Sequence, residues 1–300
     1  MKILLTGATG AVGSELLPRL LNEGHEVVVL SRRPFSHPSK KVTSIQADLI
    51  NSIALPQDID IAYYLVHSME KRQKNYALLE KTAARHFVLA LKATQVKQII
   101  YLSGIANDPD RSSHIDSRLC VENVFKASSI PTTVLRAGII ISQKSASFKI
   151  ILDLVNRLPV MTPPKWIHNL CQPIALCDVI DYLLAVALHP QALGQTFDIG
   201  GPDIISYKEM LQRCAQALGK KRLIISVPLL TPYLASLWLK LITDVNFSLC
   251  KKLVQNLKNN FICKDTQIQT IFPKSCLNYE EALAKVLIPE GVVHAPVPVP

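Results

Sequence analysis

Three glycines near the start of the chain are spaced so that a phosphate group has room to approach the backbone. Residues 6–13 read TGATGAVG, which follows the pattern GxxGxxG. Gly7 allows a tight turn, Gly10 allows close approach of an anion, and Gly13 lets a helix pack on the preceding strand. The amides of a helix N-terminus favour negative charge. The loop predicts a pyrophosphate site, with an ordinary tight turn as the alternative.

The end of the next predicted strand carries the residues that select between the two nicotinamide dinucleotides. An acidic residue there would bind the ribose hydroxyls of NAD, but this chain has Ser31, Arg32 and Arg33. An arginine pair is suited to a 2′-phosphate, so the sequence favours NADP(H) over NAD(H); two solvated arginines are the alternative. Asp48 and Leu49, after the third strand, are expected at the adenine edge, although aspartate is also a common turn residue.

The elements that must position these residues alternate between strand and helix. Apolar runs predict strands over 2–6, 26–30, 42–49, 59–66, 98–103, 132–138 and 196–199. Helical spacing predicts helices over 11–22, 70–95, 116–128, 145–158 and 176–188, and from a cap at Ser206 to Leu218. This alternation predicts an α/β fold with a doubly wound parallel sheet.

The pattern loosens after Ser142, which predicts two parts of the chain. Residues 1–142 are expected to form the dinucleotide-binding core. Residues 143–300 are expected to form a smaller, mainly helical lobe that interleaves with the core and meets the substrate or a partner, with a proline-rich tail over 292–300. Gln172 and Asp178 bracket the turn QPIAL, and Asp178 is expected to bond local backbone.

Composition narrows the classes of function. Hydrophobic residues make up 49% of the 300 residues, which is ample for a packed core. The net charge of +10 is scattered without aromatic platforms, which argues against nucleic acid and leaves contact with an anionic membrane surface open. The apolar stretch 223–239 contains two prolines and is not expected to span a membrane. Seven cysteines without a CxxC pair, and no signal-peptide pattern, predict reduced thiols, no metal site and a cytoplasmic location.

The motifs together resemble a known family. TGATGAVG followed by SRRP, ADL, YYLVHSM, YLSG and LRAGIIIS resembles the atypical, NmrA-like branch of the short-chain dehydrogenase/reductase superfamily. SASF, LPVMTPPKWIHN and FDIGGPDIISYKEM are similar to a bacterial subgroup of NAD(P)H-binding proteins, which often carry a further C-terminal domain that is not found in this sequence.

The resemblance implies a Rossmann fold and a set of cofactor contacts. Gly7, Thr9, Gly10, Ala11, Val12 and Gly13 would line the pyrophosphate, and Ser31, Arg32 and Arg33 would face the adenosine phosphate. Leu65, Val66 and His67 would lie beside the adenosine and ribose. Leu102 and Ser103 would flank the nicotinamide, with Ala137, Gly138 and Ile139 below its ring.

The catalytic residues depart from the superfamily's pattern. Its usual proton donor is a tyrosine with a lysine four residues later, and none of the eight tyrosines here has one. At the equivalent place, after the fifth strand, His114 and Arg118 share a helix face. Histidine donates a proton near neutral pH, whereas arginine holds the ribose but carries no proton. The alternative is that both residues only bind the cofactor.

Two functions therefore stay open. The first is an NADP(H)-dependent oxidoreductase that acts on an apolar carbonyl, enone or quinone-like substrate, because the C-terminal lobe is apolar. The second is a non-catalytic, NADP(H)-responsive sensor or assembly factor, which the missing tyrosine–lysine pair permits. The oligomeric state does not follow from the sequence.

Overall fold

A parallel sheet of seven strands runs through the computed structural model, which describes residues 1–66, 76–108, 112–227, 242 and 258–287. Its strand order is β11-β6-β5-β4-β1-β2-β3. The strands are β1 (Lys2–Thr6), β2 (Glu26–Ser31), β3 (Val42–Gln46), β4 (Ile61–Tyr64), β5 (Gln98–Gly104), β6 (Thr132–Ala137) and β11 (Thr196–Ile199). The predicted doubly wound α/β fold is confirmed.

Helices cover both faces of this sheet. They are α1 (Gly13–Asn22), α2 (Tyr76–Lys92), α3 (Ser113–Lys126) and α5 (Leu176–Ala185). Side chains of α1 and α5 pack on one face of the sheet, and those of α2 and α3 pack on the other. Alternate residues of a strand serve the two faces, so that Leu5 meets the first layer and Leu4 the second.

A third apolar cluster forms the core of the smaller lobe. It joins α4 (Ala146–Arg157), α6 (Tyr207–Ala217) and α8 (Tyr279–Leu287) to three two-stranded sheets. The paired strands are β7 (Ile140–Ile141) with β10 (Ile174–Ala175), β9 (Leu170–Cys171) with β12 (Ile205–Ser206), and β8 (Val160–Met161) with β13 (Leu223–Ile224). Between these elements lie a 3₁₀ turn (Lys165–His168) and a short helix α7 (Gln267–Ile271).

The chain returns to the central sheet after it has entered the lobe. Strand β11 pairs with β6 in register, with Phe197 opposite Leu135. The central sheet therefore takes its edge strand from residues beyond 142.

Several predicted boundaries move, each for a local reason. Helix α3 begins at Ser113 rather than Asp116, because the Ser112 side chain accepts a hydrogen bond from the amide of Ile115. Helix α5 ends at Ala185 rather than Leu188, where Leu188 has a φ of 55°. The predicted cap at Ser206 is confirmed, as a capping box with Glu209.

Some sequence predictions fall on residues that lie outside the described ranges. These are His67, the start of the predicted helix over 70–95, most of the apolar stretch 223–239 and the tail 292–300. Among the described helices, none has both the length and the apolar character that crossing a membrane requires. The six cysteines within the described ranges are free thiols.

Candidate dinucleotide site at the carboxyl edge of the sheet

The predicted cofactor residues within the described ranges collect at one edge of the central sheet. The glycine loop follows β1, Ser31 ends β2, Leu65 follows β4, and Ser103 lies at the end of β5. Parallel strands place all their carboxyl ends at the same edge. Strand β1 lies between β2 and β4, and this is where the strand order reverses. Such a reversal opens a crevice in which open α/β sheets bind ligands.

The glycine loop has the geometry that its sequence predicts. Gly7 has a φ of +74°, and a Cβ there would lie 2.9 Å from the carbonyl oxygen of Leu65. A Cβ on Gly13 would lie 2.2 Å from the carbonyl oxygen of Gly7. The start of α1 therefore packs so closely on the turn that only glycine fits at position 13. A Cβ on Gly10 would meet only that same oxygen within 4 Å, at 3.2 Å. Gly7 and Gly13 are thus fixed by the fold, whereas Gly10 is exposed and has one close backbone contact.

The hydroxyl of Thr6 joins the two strands that flank the crevice. It donates to the carbonyl of Tyr63 at 3.1 Å and accepts from the amide of Leu65 at 3.1 Å. Thr9 and Gly10 are exposed beyond it, and the N-terminus of α1 is not capped by a side chain. The loop therefore presents accessible backbone at a positive helix end.

The arginine pair lies on the surface at the end of β2. The Ser31 hydroxyl donates to the carbonyl of Arg33 and folds the chain back. The Arg32 carbonyl accepts from the Gln46 side chain at 3.4 Å. Arg32 and Arg33 are both exposed, so their guanidinium groups are accessible to a ligand at this edge.

The residues predicted to lie beside the adenosine make contacts with the protein itself. One Asp48 carboxylate oxygen accepts from the amide of Ile50 at 3.2 Å, which is turn geometry. Leu49 is buried, and its carbonyl contacts the His86 ring nitrogen at 3.2 Å. Leu65 and Val66 are half-buried, and they pack on opposite layers of the core.

His114 and Arg118 lie on the first turns of α3, over the end of β5. His114 is 5% exposed. The Arg118 guanidinium donates to the carbonyl of Leu102 at 3.4 Å, and its Cδ lies 3.9 Å from a Cβ position on Gly104. The structure thus brings Arg118 into contact with Leu102, one of the residues predicted to flank the nicotinamide.

Tyr101 is the tyrosine on β5, and it does not take the place of the missing tyrosine–lysine pair. Its hydroxyl donates to the carbonyl of Arg118 at 3.4 Å from within the core. Burial raises the pKa of Tyr101 to about 12, and the opposing effects of Arg118 and Ser103 are smaller. A phenol with this pKa is a poor proton donor near neutral pH.

Gln172 has a structural role that the sequence did not reveal. Its carbonyl oxygen would lie 2.0 Å from a Cβ on Gly138, directly after β6. Its side chain donates to the carbonyl of Gly201 at 2.7 Å and accepts from the amide of Cys263 at 3.0 Å. Ala137 is buried, and Gly138 and Ile139 are half-buried beside it.

A strap formed by residues 261–264 crosses the same edge beside β11. The Asn107 amide donates to Asp198 at 2.6 Å and to the carbonyl of Ile262 at 3.1 Å. The amide of Lys264 donates to the same Asp198 oxygen at 3.0 Å. Asp198 lies within the FDIGGPDIISYKEM motif, but no sequence pattern links it to Asn107 or to residues 261–264, because the contacts join positions far apart in the chain.

Asp178 corrects a prediction. It was expected to bond local backbone, but one carboxylate oxygen accepts from the amide of Leu277 at 2.9 Å and the other lies 3.0 Å from the Lys274 ammonium. Among the described residues, no three His, Cys, Asp or Glu side chains group as metal ligands.

Comparison with known proteins agrees with this geometry. Residues 7–155 match the family described as NAD(P)H-binding. The chain is 25% identical over 232 residues to uncharacterized proteins of Mycobacterium tuberculosis and Mycobacterium bovis. The match covers 77% of this chain but 25% of each mycobacterial protein, so the chain spans about a quarter of the length of these relatives.

Solved structures share the fold at low identity. A nucleoside-diphosphate-sugar epimerase from Staphylococcus aureus superposes with a TM-score of 0.72 at 17% identity, over 94% of this chain and 99% of that one. MoeE5 in complex with UDP-glucose and NAD gives 0.70 at 19%, over 96% and 97%. TunA, an NAD-dependent NDP-hexosamine 5,6-dehydratase, gives 0.68 at 16%, over 95% and 96%.

Proposed function

Because residues 7–155 match the NAD(P)H-binding family and the motifs of the chain resemble those of the atypical short-chain dehydrogenase/reductases, we propose that it is an NADP(H)-dependent oxidoreductase. The proposed substrate is a lipophilic carbonyl, enone or quinone-like compound. The observation that carries the proposal is the shared edge of the sheet. The glycine loop follows β1, the two exposed arginines follow β2, and the buried His114 lies on α3, the helix that follows β5 of the same parallel sheet.

The glycine loop fits a pyrophosphate. Gly10 is exposed and carries no side chain, which lets an anion approach the backbone, and the uncapped N-terminus of α1 supplies a favourable dipole. Gly7, Thr9, Gly10, Ala11, Val12 and Gly13 would hold this part of the cofactor. Leu65, Val66 and His67 would border the ribose, with Asp48 and Leu49 at the adenine edge.

The arginine pair supports NADP(H) over NAD(H). Arg32 and Arg33 are exposed, and no acidic residue takes the place of Ser31 at the end of β2. A 2′-phosphate would gain charge-assisted hydrogen bonds from one or both guanidinium groups. Without that phosphate the arginines would lose these charge-assisted hydrogen bonds.

His114 is the proposed proton donor, and Arg118 the residue that orients the ribose. A bound reduced nicotinamide supplies a hydride to the substrate carbon. His114, which is buried at the start of α3, would give its proton to the carbonyl oxygen. Leu102, Ser103, Ala137, Gly138 and Ile139 would shape the nicotinamide pocket, and apolar neighbours such as Ile139 favour an apolar substrate.

A second function has one observation in its favour. The chain lacks the superfamily's tyrosine–lysine pair, and Tyr101 is buried with a raised pKa. A protein that binds NADP(H) and signals its presence to a partner needs no such pair. This sensor would bind the cofactor as tightly as an enzyme but would transfer no hydride.

Calorimetric titration of NADPH and NADH tests the cofactor assignment. A lost charge-assisted contact costs about 1.5–3 kcal/mol, so NADPH should bind at least about tenfold more tightly than NADH. Arg32→Ala combined with Arg33→Ala should remove most of this preference. The matched control is Lys40→Ala with Lys41→Ala, which removes the same charge nearby. Equal affinities for both cofactors in the unmutated protein would contradict the proposal.

A panel of carbonyls, enones and quinones then separates the enzyme from the sensor. Oxidation of NADPH is followed by its absorbance. Turnover of any member supports the oxidoreductase, whereas tight NADPH binding without turnover across the panel favours the sensor.

A further inference from the structure

Lys144 is a residue of the smaller lobe whose side chain reaches the end of the glycine loop. It lies in the turn between β7 and α4. Its ammonium donates to the Ser14 hydroxyl at 3.2 Å, and Ser14 directly follows Gly13 at the start of α1. The predicted cofactor residues do not include Lys144, because this contact joins positions that are 130 residues apart in the chain.

The backbone of Lys144 is held in place by its own turn. The Ser142 carbonyl accepts from the amide of Ser145 at 3.0 Å, and the Ser142 hydroxyl accepts from the amide of Lys144 at 3.3 Å. Ser142 is buried, so the turn is anchored in the protein. The side chain of Lys144 is 57% exposed, and its flexible stem lets the ammonium change position while the backbone stays fixed.

Ser14 connects this ammonium to the backbone of the glycine loop. The Ser14 hydroxyl donates to the carbonyl of Ala11 at 3.4 Å, and the Ser14 amide donates to the carbonyl of Gly10 at 3.0 Å. One hydroxyl group therefore separates the ammonium from Ala11, which is proposed to line the pyrophosphate. A rotation within the lysine side chain covers a separation of this size.

The charge of a pyrophosphate favours a cation at this position. Each of its phosphates is negatively charged, and the loop sequence TGATGAVG contains no charged side chain. The N-terminus of α1 offers about half a positive charge. Arg32 and Arg33 follow β2 and are proposed to meet the 2′-phosphate instead. Lys144 brings a full positive charge to the first turn of α1.

Glu15 is the alternative partner of Lys144. One Glu15 carboxylate oxygen lies 3.7 Å from the ammonium, and both side chains are at least half exposed. A pair this long and this exposed contributes little to stability, so attachment of the lobe to α1 does not explain the position of Lys144. Because the Glu15 carboxylate and a phosphate are both negative, they would compete for the same ammonium.

We propose that Lys144 is a further cofactor-binding residue, whose ammonium shifts from Glu15 to the pyrophosphate when NADP(H) binds. The ammonium would donate to the phosphate oxygens, and the smaller lobe would thereby contribute directly to cofactor binding. This inference rests on the proposed cofactor site, but it does not depend on hydride transfer.

Calorimetric titration of Lys144→Gln with NADPH, NADH and ADP-ribose tests the contact. All three ligands carry the pyrophosphate, so each should bind about tenfold more weakly, which corresponds to the loss of one charge-assisted hydrogen bond. Lys144→Arg keeps the charge and should restore most of the affinity. Lys220→Gln, after α6, removes the same charge elsewhere in the lobe and should leave all three affinities nearly unchanged.

Glu15→Gln separates a contact with the cofactor from mere neutralisation of Glu15. If Lys144 only neutralised that carboxylate, Lys144→Gln would have no effect on affinity in the Glu15→Gln background. The proposal predicts that Lys144→Gln weakens all three ligands about tenfold in that background too. Glu15→Gln alone should bind them more tightly, because the ammonium no longer has to leave a carboxylate.

Four results would overturn the proposal. The first is unchanged affinity of Lys144→Gln for all three ligands. The second is a loss confined to NADPH, which would assign Lys144 to the 2′-phosphate. The third is a loss that disappears in the Glu15→Gln background. The fourth is an unmutated protein that binds none of the ligands, which would remove the cofactor site as well. Weaker binding of all three ligands by Lys144→Gln supports the proposal even if no substrate turns over, so its failure and that of the oxidoreductase function are distinguishable.

Discussion

The carbonyl oxygen of Gln172 lies 2.0 Å from the point that a Cβ of residue 138 would occupy. Residue 138 must therefore be glycine unless the turn before β10 moves. Gly138→Ala should destabilise the protein by about 1–3 kcal/mol, the usual cost of overpacking, as measured by urea unfolding. Gly104→Ala is the matched control, because its Cβ would make only an ordinary contact, 3.7 Å from Ile115. Equal stability of the two variants would contradict the close approach.

A larger side chain at Gly10 should separate folding from cofactor binding. A Cβ there touches only the carbonyl of Gly7 within 4 Å, so Gly10→Val should stay folded with a loss of about 1 kcal/mol. Its branched side chain fills the space proposed for the pyrophosphate, and NADPH binding by calorimetry should fall below detection. Gly10→Ala should show an intermediate loss of affinity. Normal NADPH binding by folded Gly10→Val would move the site elsewhere.

Removal of the His114 imidazole should slow turnover without weakening the cofactor. Loss of a general acid lowers the rate by about 10²–10⁴-fold, so His114→Ala should lower kcat by that factor while the NADPH affinity stays nearly unchanged. The limb of the pH–rate profile that belongs to the imidazole should vanish. His25→Ala, at the amino end of β2, is the control and should leave kcat unchanged. Full turnover in His114→Ala would eliminate His114 as the acid.

The ion pairs of Asp181 should make stability depend on pH in the acid range. Burial acts to raise the pKa of Asp181, but the contacts from Lys274 at 2.5 Å and Arg19 at 3.0 Å outweigh it and hold the pKa below its usual value. This stabilisation is present above the unfolded-state pKa and is lost as the pH falls through the lower folded-state pKa. Asp181→Asn should cost less than about 1 kcal/mol at pH 7, since the pairs are partly exposed.

The measurement is thermal unfolding of both proteins between pH 7 and pH 2. The difference in melting temperature should be constant down to about pH 4 and should shrink below it. A difference that persists unchanged at pH 2 would show that the effect of the substitution is not electrostatic.

Sequence patterns predicted the central sheet well because its signals are local. Strand β1 and the glycine loop together occupy twelve residues, and β11 has the bounds that its apolar run predicts. The cap of α6 was also predicted, because Ser206 and Glu209 are only three residues apart. In each case the residues that determine the structure are neighbours in the chain.

Contacts between distant segments escaped prediction. Helix α5 ends early, and the amide of Leu188 instead donates to the Gln98 side chain at 2.6 Å, ninety positions away. The strap over Asp198 and the fit of Gln172 against Gly138 join segments separated in the same way. The small sheets of the lobe escaped because each strand has two residues, too few for a periodic pattern.

Strand β11 is synthesised well after its partner β6, and this order affects the exposure of the growing sheet. Strand β6 ends at residue 137, and its partner β11 begins at residue 196. At about 5–20 residues per second, a ribosome needs about 3–12 s to synthesise the residues between them. During that interval β6 is an open edge of a parallel sheet, with unpaired backbone and an apolar face of the kind that promotes aggregation. The nascent chain therefore lacks the strand that covers β6 until residue 199 has been synthesised, and a chain released before residue 196 never gains it.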